Sequence, residues 1–200
     1  MANNFKNAIK TDISAVETAP TEVYYHATKK SIVIELDAAN KTSAGVNISV
    51  AVEDTDQNGS ALGSLSLTDH ANGTFTRNSH GLDVNDRITI QLSAAPAIVG
   101  GGSLVATRRY YVQFSDTNTF RIAETRSATV PLKFTGAGTL TSVTKHHFAE
   151  VVRNAPIPVG GALKVISGQK LVLENTDRLF VHASAADGVD VICSILEEVS

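Results

Sequence analysis

The chain has 200 residues and a mass of 21.1 kDa, which fits one domain of ordinary size or two small ones. Its 17 Lys and Arg against 20 Asp and Glu give a formal net charge of -3, which provides no field to hold nucleic acid. No apolar run approaches the roughly 20 residues that cross a bilayer, and we expect neither a membrane partner nor a secretory signal. The single cysteine, Cys193, excludes an internal disulfide framework and a cysteine-rich zinc site.

The composition favours strands over helices. Val, Ile and Thr account for 54 of the 200 residues, and their branched side chains fit a pleated sheet better than a helix. Gly, Asn, Asp and Ser interrupt the chain roughly every ten residues, as many short strands require. The sequence therefore predicts an all-β fold. The predicted architecture is an antiparallel β-sandwich, and a jelly roll is one candidate arrangement of its strands.

The first block, residues 1–66, is predicted to form the first part of this sandwich. Its polar opening is interpreted as an arm or a frayed first strand, and we expect the arm to become ordered on docking to a neighbouring protein. Strands are predicted at Thr21–Thr28 and Ser31–Leu36. A third predicted strand, Val46–Val52, alternates apolar and polar residues with a period of two, which is typical of a half-buried strand.

The middle block, residues 67–144, is predicted to be a small β-domain inserted into a loop of the outer sandwich. It is richer in Thr, Arg and Gly than its flanks and holds four of the seven Phe residues. Loop tips are the positions where an insertion destabilises a fold least. The predicted strands of this block are Arg87–Leu92, Arg109–Phe114, Phe120–Ile122, Val130–Phe134 and Leu140–Val143.

The last block, residues 145–200, is predicted to complete the sandwich. The segment 154–161 contains two prolines and two glycines, which favours an edge position. The final predicted strand, Val189–Leu196, carries apolar residues in both alternating sets, which predicts burial of both of its faces. The other predicted strands of this block are His147–Val152, Ala162–Ile166, Lys170–Leu173 and Leu179–Ala183.

Several segments of the two outer blocks carry a resemblance to a known family. The chain opens with a polar arm, Met1–Lys10, and carries a strand of the VNISVAVED type at Val46–Asp54. It ends with the apolar segment Ala155–Leu173, an Asp-containing turn and the closing strand Val189–Glu197. Together these features resemble the small β-sandwich structural proteins of tailed bacteriophages.

The middle block resembles a module that recurs in phage tail and virion proteins. The module has a His-Gly followed by an acidic turn and a strand, then Tyr-Tyr-Val, then a strand of the Asp…Asn-x-Phe type, and it ends in Phe-Thr-x-x-Gly. The matching segments are His80-Gly81, Asp86–Ile90, Tyr110–Val112, Asp116–Phe120 and Phe134–Gly138. No catalytic residues come with this resemblance.

The resemblance implies a structural protein of a bacteriophage particle. We expect it to assemble as a symmetric oligomer, with copies of itself and with other virion proteins of the portal, neck, tail or capsid. A position at the neck, collar or tail is the first hypothesis, and decoration of the capsid surface is the second. The protein is then made in the cytoplasm of the host bacterium and resides in the virion.

One segment resembles a metal site. The segment 54–59, DTDQNG, matches the first half of an EF-hand calcium loop, but the twelfth position, which needs a bidentate Glu, is Leu65. A β-turn with Asn58-Gly59 at its tip explains the same residues. The histidines lack zinc-ligand spacing, and neither a GxSxG elbow nor a GxGxxG loop occurs. We therefore expect no metal, no cofactor and no enzyme activity.

One basic and aromatic cluster is the candidate binding site: Arg108, Arg109, Tyr110 and Tyr111. Guanidinium and phenol groups have flat faces that stack on bases or sugars. The alternative, which the acidic balance of the chain favours, is a strand with some of these residues packed inward and the others in water. Because the cluster lies in the middle block, a receptor- or glycan-binding module of a phage tail is the second functional hypothesis, with the loop 78–86 contributing. A hydrolase is the third.

Overall fold

The computed structural model describes residues 4–197 and confirms that the chain is all-β. In that range the one helical element is a single 3-10 turn at Thr55–Gln57. No helix of the described residues is long and apolar enough to cross a membrane. The strands are β1 (Asn4–Lys10), β2 (Thr21–Tyr25), β3 (Ser31–Asn40), β4 (Val46–Glu53), β5 (Ser66–Asp69), β6 (Thr74–Thr76), β7 (Arg87–Ala94), β8 (Tyr110–Ser115), β9 (Thr119–Ala123), β10 (Thr139–His146), β11 (Phe148–Ile157), β12 (Ala162–Ile166), β13 (Leu171–Leu173), β14 (Arg178–Ala183) and β15 (Val189–Glu197).

The chain divides into two compact units. The outer unit comprises residues 4–56 and 148–197, and the inserted unit comprises Gln57–His147. The inserted unit starts before the predicted position 67, because Leu65 is in its core and Leu62 packs against that core. It ends after 144, because β10 continues to His146 opposite Arg87. In the outer unit Glu53 lies directly opposite Phe148, so the inserted unit takes the place of a hairpin loop between β4 and β11.

Two antiparallel sheets form the outer unit. One has the order β1-β15-β3-β12, with the short β13 also paired to β3, and the other has the order β11-β4-β14-β2. When β13 and the inserted unit are left aside, the eight strands follow the orders 1-8-3-6 and 2-7-4-5. These are the strand orders of a jelly roll, in which chain neighbours alternate between two facing sheets except at the central pair, here β4 and β11.

The core of the outer unit lies between the two sheets. Each sheet presents mostly aliphatic side chains inward at a period of two, which a bulge in β3 shifts by one residue between Val33 and Glu35. The core residues include Val33 and Leu36 from β3, Ile48 and Val50 from β4, Val181 from β14 and Cys193 from β15.

Three predictions about single segments need correction or refinement. The final strand, β15, buries only one face, since the side chain of Ile192 on its other face is 48% exposed. This follows from the two-layer architecture, in which each sheet has a single covered face. The predicted strand Val130–Phe134 is absent, and only Phe134 forms an isolated bridge, with Ile98. The polar opening of the chain is ordered within its own chain as β1, paired with β15.

The inserted unit is a single six-stranded antiparallel sheet of order β10-β7-β8-β9-β6-β5. Two of its strands, β5 and β6, were not predicted, because they have only four and three residues and show little periodicity. Its core is aromatic: the Phe75 ring stacks on Phe120 at 5.2 Å and meets Phe134 edge-on at 5.7 Å. Such ring pairs add about 0.5–1.5 kcal/mol each beyond the area they bury.

We expect Gly73→Ala to destabilise the inserted unit strongly. Gly73 has a φ of 68°, and a Cβ there would lie 1.8 Å from the backbone oxygen of Leu132. The expected loss in free energy of unfolding is about 2–5 kcal/mol, because left-handed strain adds to displacement of a neighbouring backbone.

The matched control is Gly81→Ala, measured by calorimetric and urea unfolding. Gly81 has a φ of 64°, but no heavy atom lies within 4 Å of the added Cβ. Only the left-handed strain of about 1–2 kcal/mol then applies. Equal losses for the two variants would contradict the close packing around Gly73.

Candidate interaction surface

The two tyrosines of the predicted binding cluster are buried. The Tyr110 side chain is fully enclosed in the core of the inserted unit, where its hydroxyl oxygen accepts the backbone N–H of Val105 at 2.9 Å. Burial raises the pKa of this hydroxyl above its ordinary value. Tyr111 is also buried, and the guanidinium of Arg87 lies 5.3 Å from its ring centroid. Neither ring has a face open to a base or a sugar.

The arginines of the cluster are partly exposed and take part in the packing of the unit. Arg108 Nη1 lies 3.3 Å from Glu124 Oε1, in an ion pair at the surface. Arg109 is half-buried next to the enclosed tyrosines. The four predicted residues are therefore neighbours only because they are consecutive in the chain. They do not form a common surface on which a ligand could stack.

The groups considered for metal binding or nucleophilic chemistry have structural surroundings. The described residues contain no group of three or more His, Cys, Asp or Glu side chains placed to hold a metal ion. His80 is buried, and its Nδ1 accepts the backbone N–H of Leu82 at 3.0 Å. Burial of Cys193 in the sandwich core raises the pKa of its thiol to about 12, so the reactive thiolate form is suppressed.

A row of apolar side chains crosses the outer face of the five-stranded sheet. Phe5 on β1 lies opposite Leu196 on β15, Leu196 opposite Ile32 on β3, and Ile32 opposite Val172 on β13. The two ends of this apolar row are the most open, since Phe5 is 72% exposed and Val172 is 54% exposed. Four neighbouring strands thus present apolar side chains side by side to solvent.

A second apolar pair lies on the same face. Ile9 on β1 lies opposite Ile192 on β15, and these side chains are 62% and 48% exposed. Between this pair and the apolar row lies a polar pair, in which the Ser194 hydroxyl donates to Asn7 Oδ1 at 3.1 Å. Aligned apolar groups exposed on one face of a sheet are a mark of a protein-binding surface.

Sequence periodicity did not identify this surface. In β15 both alternating sets contain apolar residues, a pattern that predicts burial of both faces, whereas only one face is covered. Which set faces water depends on the second layer of the sandwich, and which residues align across strands depends on register. Neither can be read from one segment of sequence. The sequence does contain one indication of this exposed face. Ile192 and Leu196 alternate along one face of β15 with Asp190 and Ser194, and such a mixture is unusual for a buried face.

A buried polar cluster fixes β1 on the sheet. Glu197 is only 4% exposed; its Oε1 accepts from Lys6 Nζ at 2.7 Å and from the Tyr24 hydroxyl at 2.9 Å. The Tyr24 hydroxyl also lies 2.7 Å from Ser31 Oγ. Bonding to Lys6 holds the pKa of Glu197 below its ordinary value, and burial raises the pKa of Tyr24 to about 12. Because Lys6 points inward here, its neighbour Phe5 must point outward.

The inserted unit carries an open pocket of about 620 Å³, lined by both polar and apolar side chains. Its walls come from the segments 79–84 and 115–117, which include the loop proposed for ligand binding. Asp116 accepts backbone N–H groups from Asn118 and Thr119, and these bonds lower the pKa of its carboxyl group. Asp83 points into solvent at the pocket rim. Carboxylates and hydroxyls in such a groove suit a hydroxyl-rich ligand.

The fold defines the class of this chain: an all-β protein in which a jelly-roll sandwich carries an inserted six-stranded sheet. Comparison with models of protein families gives no match, and a search of curated proteins gives none either. The functional argument therefore rests on the geometry of the surfaces described above.

We expect Glu197→Gln to destabilise the outer unit by about 1–3 kcal/mol at pH 7, because a buried charge-assisted hydrogen bond to Lys6 is weakened. In the folded protein the pKa of Glu197 lies below its ordinary value of 4.5. Its contribution is therefore complete above that value and is lost as pH falls through the folded pKa.

The measurement is urea unfolding of both proteins between pH 7 and pH 3. The difference between wild type and variant should shrink below pH 4.5, the ordinary pKa of this group. Glu35→Gln is the control, since Glu35 pairs with Lys164 at an exposed position and should cost at most about 0.5 kcal/mol. A Glu197→Gln deficit that stays constant with pH would contradict the assignment.

Proposed function

We propose that this protein is a structural component of a bacteriophage particle and works by assembling with copies of itself and with other virion proteins. The observation that carries the proposal is the apolar row on the outer face of the five-stranded sheet. A monomer that functions alone in water seldom presents aligned large apolar side chains on an open sheet. Contact with another protein removes them from water.

Two features of the fold agree with this role. The outer unit has the strand order of a jelly roll, an architecture that recurs, by analogy only, in viral capsid and lectin domains. The inserted unit has its own hydrophobic core and replaces a single hairpin loop. It can therefore be carried, varied or displayed without interrupting either sheet of the outer unit.

The proposed position is the neck, collar or tail of the particle, with the capsid surface as the second position. In either place the partners are protein surfaces: copies of this chain, and portal, neck, tail or capsid proteins. The proposal assigns no catalytic step and no cofactor to the chain.

A second candidate function is recognition of a receptor or glycan by the inserted unit. It is favoured by the pocket, where Asp83 lies at the rim and Ser79 and Thr117 line the wall, while the Ser115 hydroxyl donates to the backbone oxygen of Leu82. It is not favoured by Tyr110 or Tyr111, whose rings are enclosed. In this version the pocket, and not the tyrosines, contacts the ligand.

Replacement of residues 57–147 by a short Gly-Ser loop separates the two functions. Glu53 and Phe148 already face each other, so a hairpin loop can close the outer unit. If the protein is structural through its outer unit, phages carrying the shortened chain should assemble in normal yield, with the shortened protein in purified particles by mass spectrometry. Their adsorption to host cells should also be unchanged.

The receptor-binding function predicts a different pattern. Particles with the shortened chain should form in normal yield but adsorb poorly, and Asp83→Asn should reproduce part of that loss with the inserted unit intact. Absence of the wild-type protein from purified particles would contradict both functions. Electron microscopy of the intact particle then gives the position.

A further inference from the structure

Strand β1 is an edge strand with a strand partner on one side only, within residues 4–197. Its seven residues pair with β15 in one unbroken register, from Asn4 opposite Glu197 to Lys10 opposite Val191. Nearly every side chain of β1 is exposed. A pocket of about 330 Å³ opens between β1 and β2, so solvent reaches the strand from its free side. The outward N–H and C=O groups are thus accessible to another strand.

The other edges of the described sheets are short or irregular, and β1 is neither. Strands β11 and β10 are each interrupted by two register shifts, and β11 also contains Pro156. Strands β2, β5 and β12 have five residues or fewer and a shift each, and β13 has three residues. Bulges, prolines and short length are three devices that prevent unwanted strand addition, and charged side chains are a fourth. Strand β1 has none of the first three; it has two lysines, of which Lys6 is bound to Glu197, so its backbone remains regular enough to pair with another strand.

The sequence of β1 is complementary to itself in one antiparallel register. A two-fold axis normal to the sheet keeps each side chain on its own face, so residues of like face must lie opposite each other. With the axis at Asn7, Phe5 lies opposite Ile9 of the second copy, Lys6 opposite Ala8, and Asn4 opposite Lys10. All seven residues are paired, apolar groups face apolar groups, and no lysine faces a lysine.

Neighbouring registers lack these properties. Moving the axis to Lys6 sets that residue against itself, and moving it to Ala8 sets Lys6 against Lys10. Like charges directly opposite each other destabilise a strand pair, and each shift also leaves residues unpaired. The positions of the two lysines in β1 therefore select the register centred on Asn7.

We propose that two copies of this chain associate through antiparallel pairing of β1 with β1, about a two-fold axis at Asn7. The pairing joins the two five-stranded sheets into one continuous sheet. The apolar row of one copy then continues from Phe5 to Ile9 of the other and on to its partner Ile192. The inference deepens the proposed function, because it names the contact through which copies of the protein meet.

A cysteine at the symmetry axis tests the register. In full-length Asn7→Cys the two introduced thiols lie on directly opposed residues, within reach of a disulfide. In the control, Phe5→Cys, the two thiols lie four residues apart along the strands, about 13 Å, which no disulfide spans. The native Cys193 is fully buried and does not compete. Under mild oxidation we expect Asn7→Cys to form covalent dimers about tenfold faster than Phe5→Cys.

A second variant tests the pairing without covalent chemistry. Phe5→Lys combined with Ile9→Lys sets lysines against lysines in the proposed register, while both positions are exposed in the single chain. Sedimentation should show a dimer for the wild type and a monomer for the double variant. At a concentration low enough for the wild type to be monomeric, the two proteins should unfold at the same temperature. An unaltered dimer would overturn the proposal.

The outcomes separate this inference from the proposed function. The wild type could self-associate while Asn7→Cys and Phe5→Cys cross-link at equal rates. That result would overturn the β1 pairing and would mean that the copies associate through another surface. A wild type that stays monomeric at several hundred micromolar would also overturn the pairing. Presence of the protein in purified particles is measured independently, so the role in the particle stands or falls on that result alone.

Discussion

Pairing of the last strand with the first is the interaction on which the outer unit depends. Strand β15 lies between β1 and β3 and holds both with ladders of backbone hydrogen bonds. Its register places Glu197 inward against Lys6 and Leu196 outward beside Phe5. A shift of one residue would send Lys6 to the outer face and Phe5 toward the core, so the buried ion pair and the exposed apolar row are two results of one register.

The two units show how a large insertion fits a β-sandwich. Strands β4 and β11 remain neighbours in their sheet, as they would with an ordinary hairpin between them. The inserted unit closes its own ends, since Gly59 donates its N–H to Lys145 and His147 donates to Asn58. Each unit buries a separate hydrophobic cluster, so the stability of one does not require the other's side chains.

The sequence predicts the fold class and most strands, because β-branched residues with a period of two leave few alternatives. The two prolines of 154–161 also predict an edge position, which β11 occupies. Short strands are harder to predict, because β5 and β6 have too few residues to show a period. The candidate surface is harder still. Adjacent Tyr110 and Tyr111 point to opposite faces, and whether each is covered depends on distant residues such as Arg87. Alignment of Phe5 with Leu196 depends on a pairing across nearly the whole chain.

The energetics of the apolar row limit what one contact through it can contribute to the proposed assembly. Burial of one large apolar side chain contributes about 1.5–3 kcal/mol, and the four of the row are already partly covered by their neighbours. Association costs an estimated 4–15 kcal/mol in lost translational and rotational freedom. A single contact through the row therefore gives weak binding at best. When each copy meets several neighbours at once, later contacts form within an existing assembly and avoid most of that cost. Under the proposed function, weak surfaces of this kind suffice only where each copy meets several neighbours.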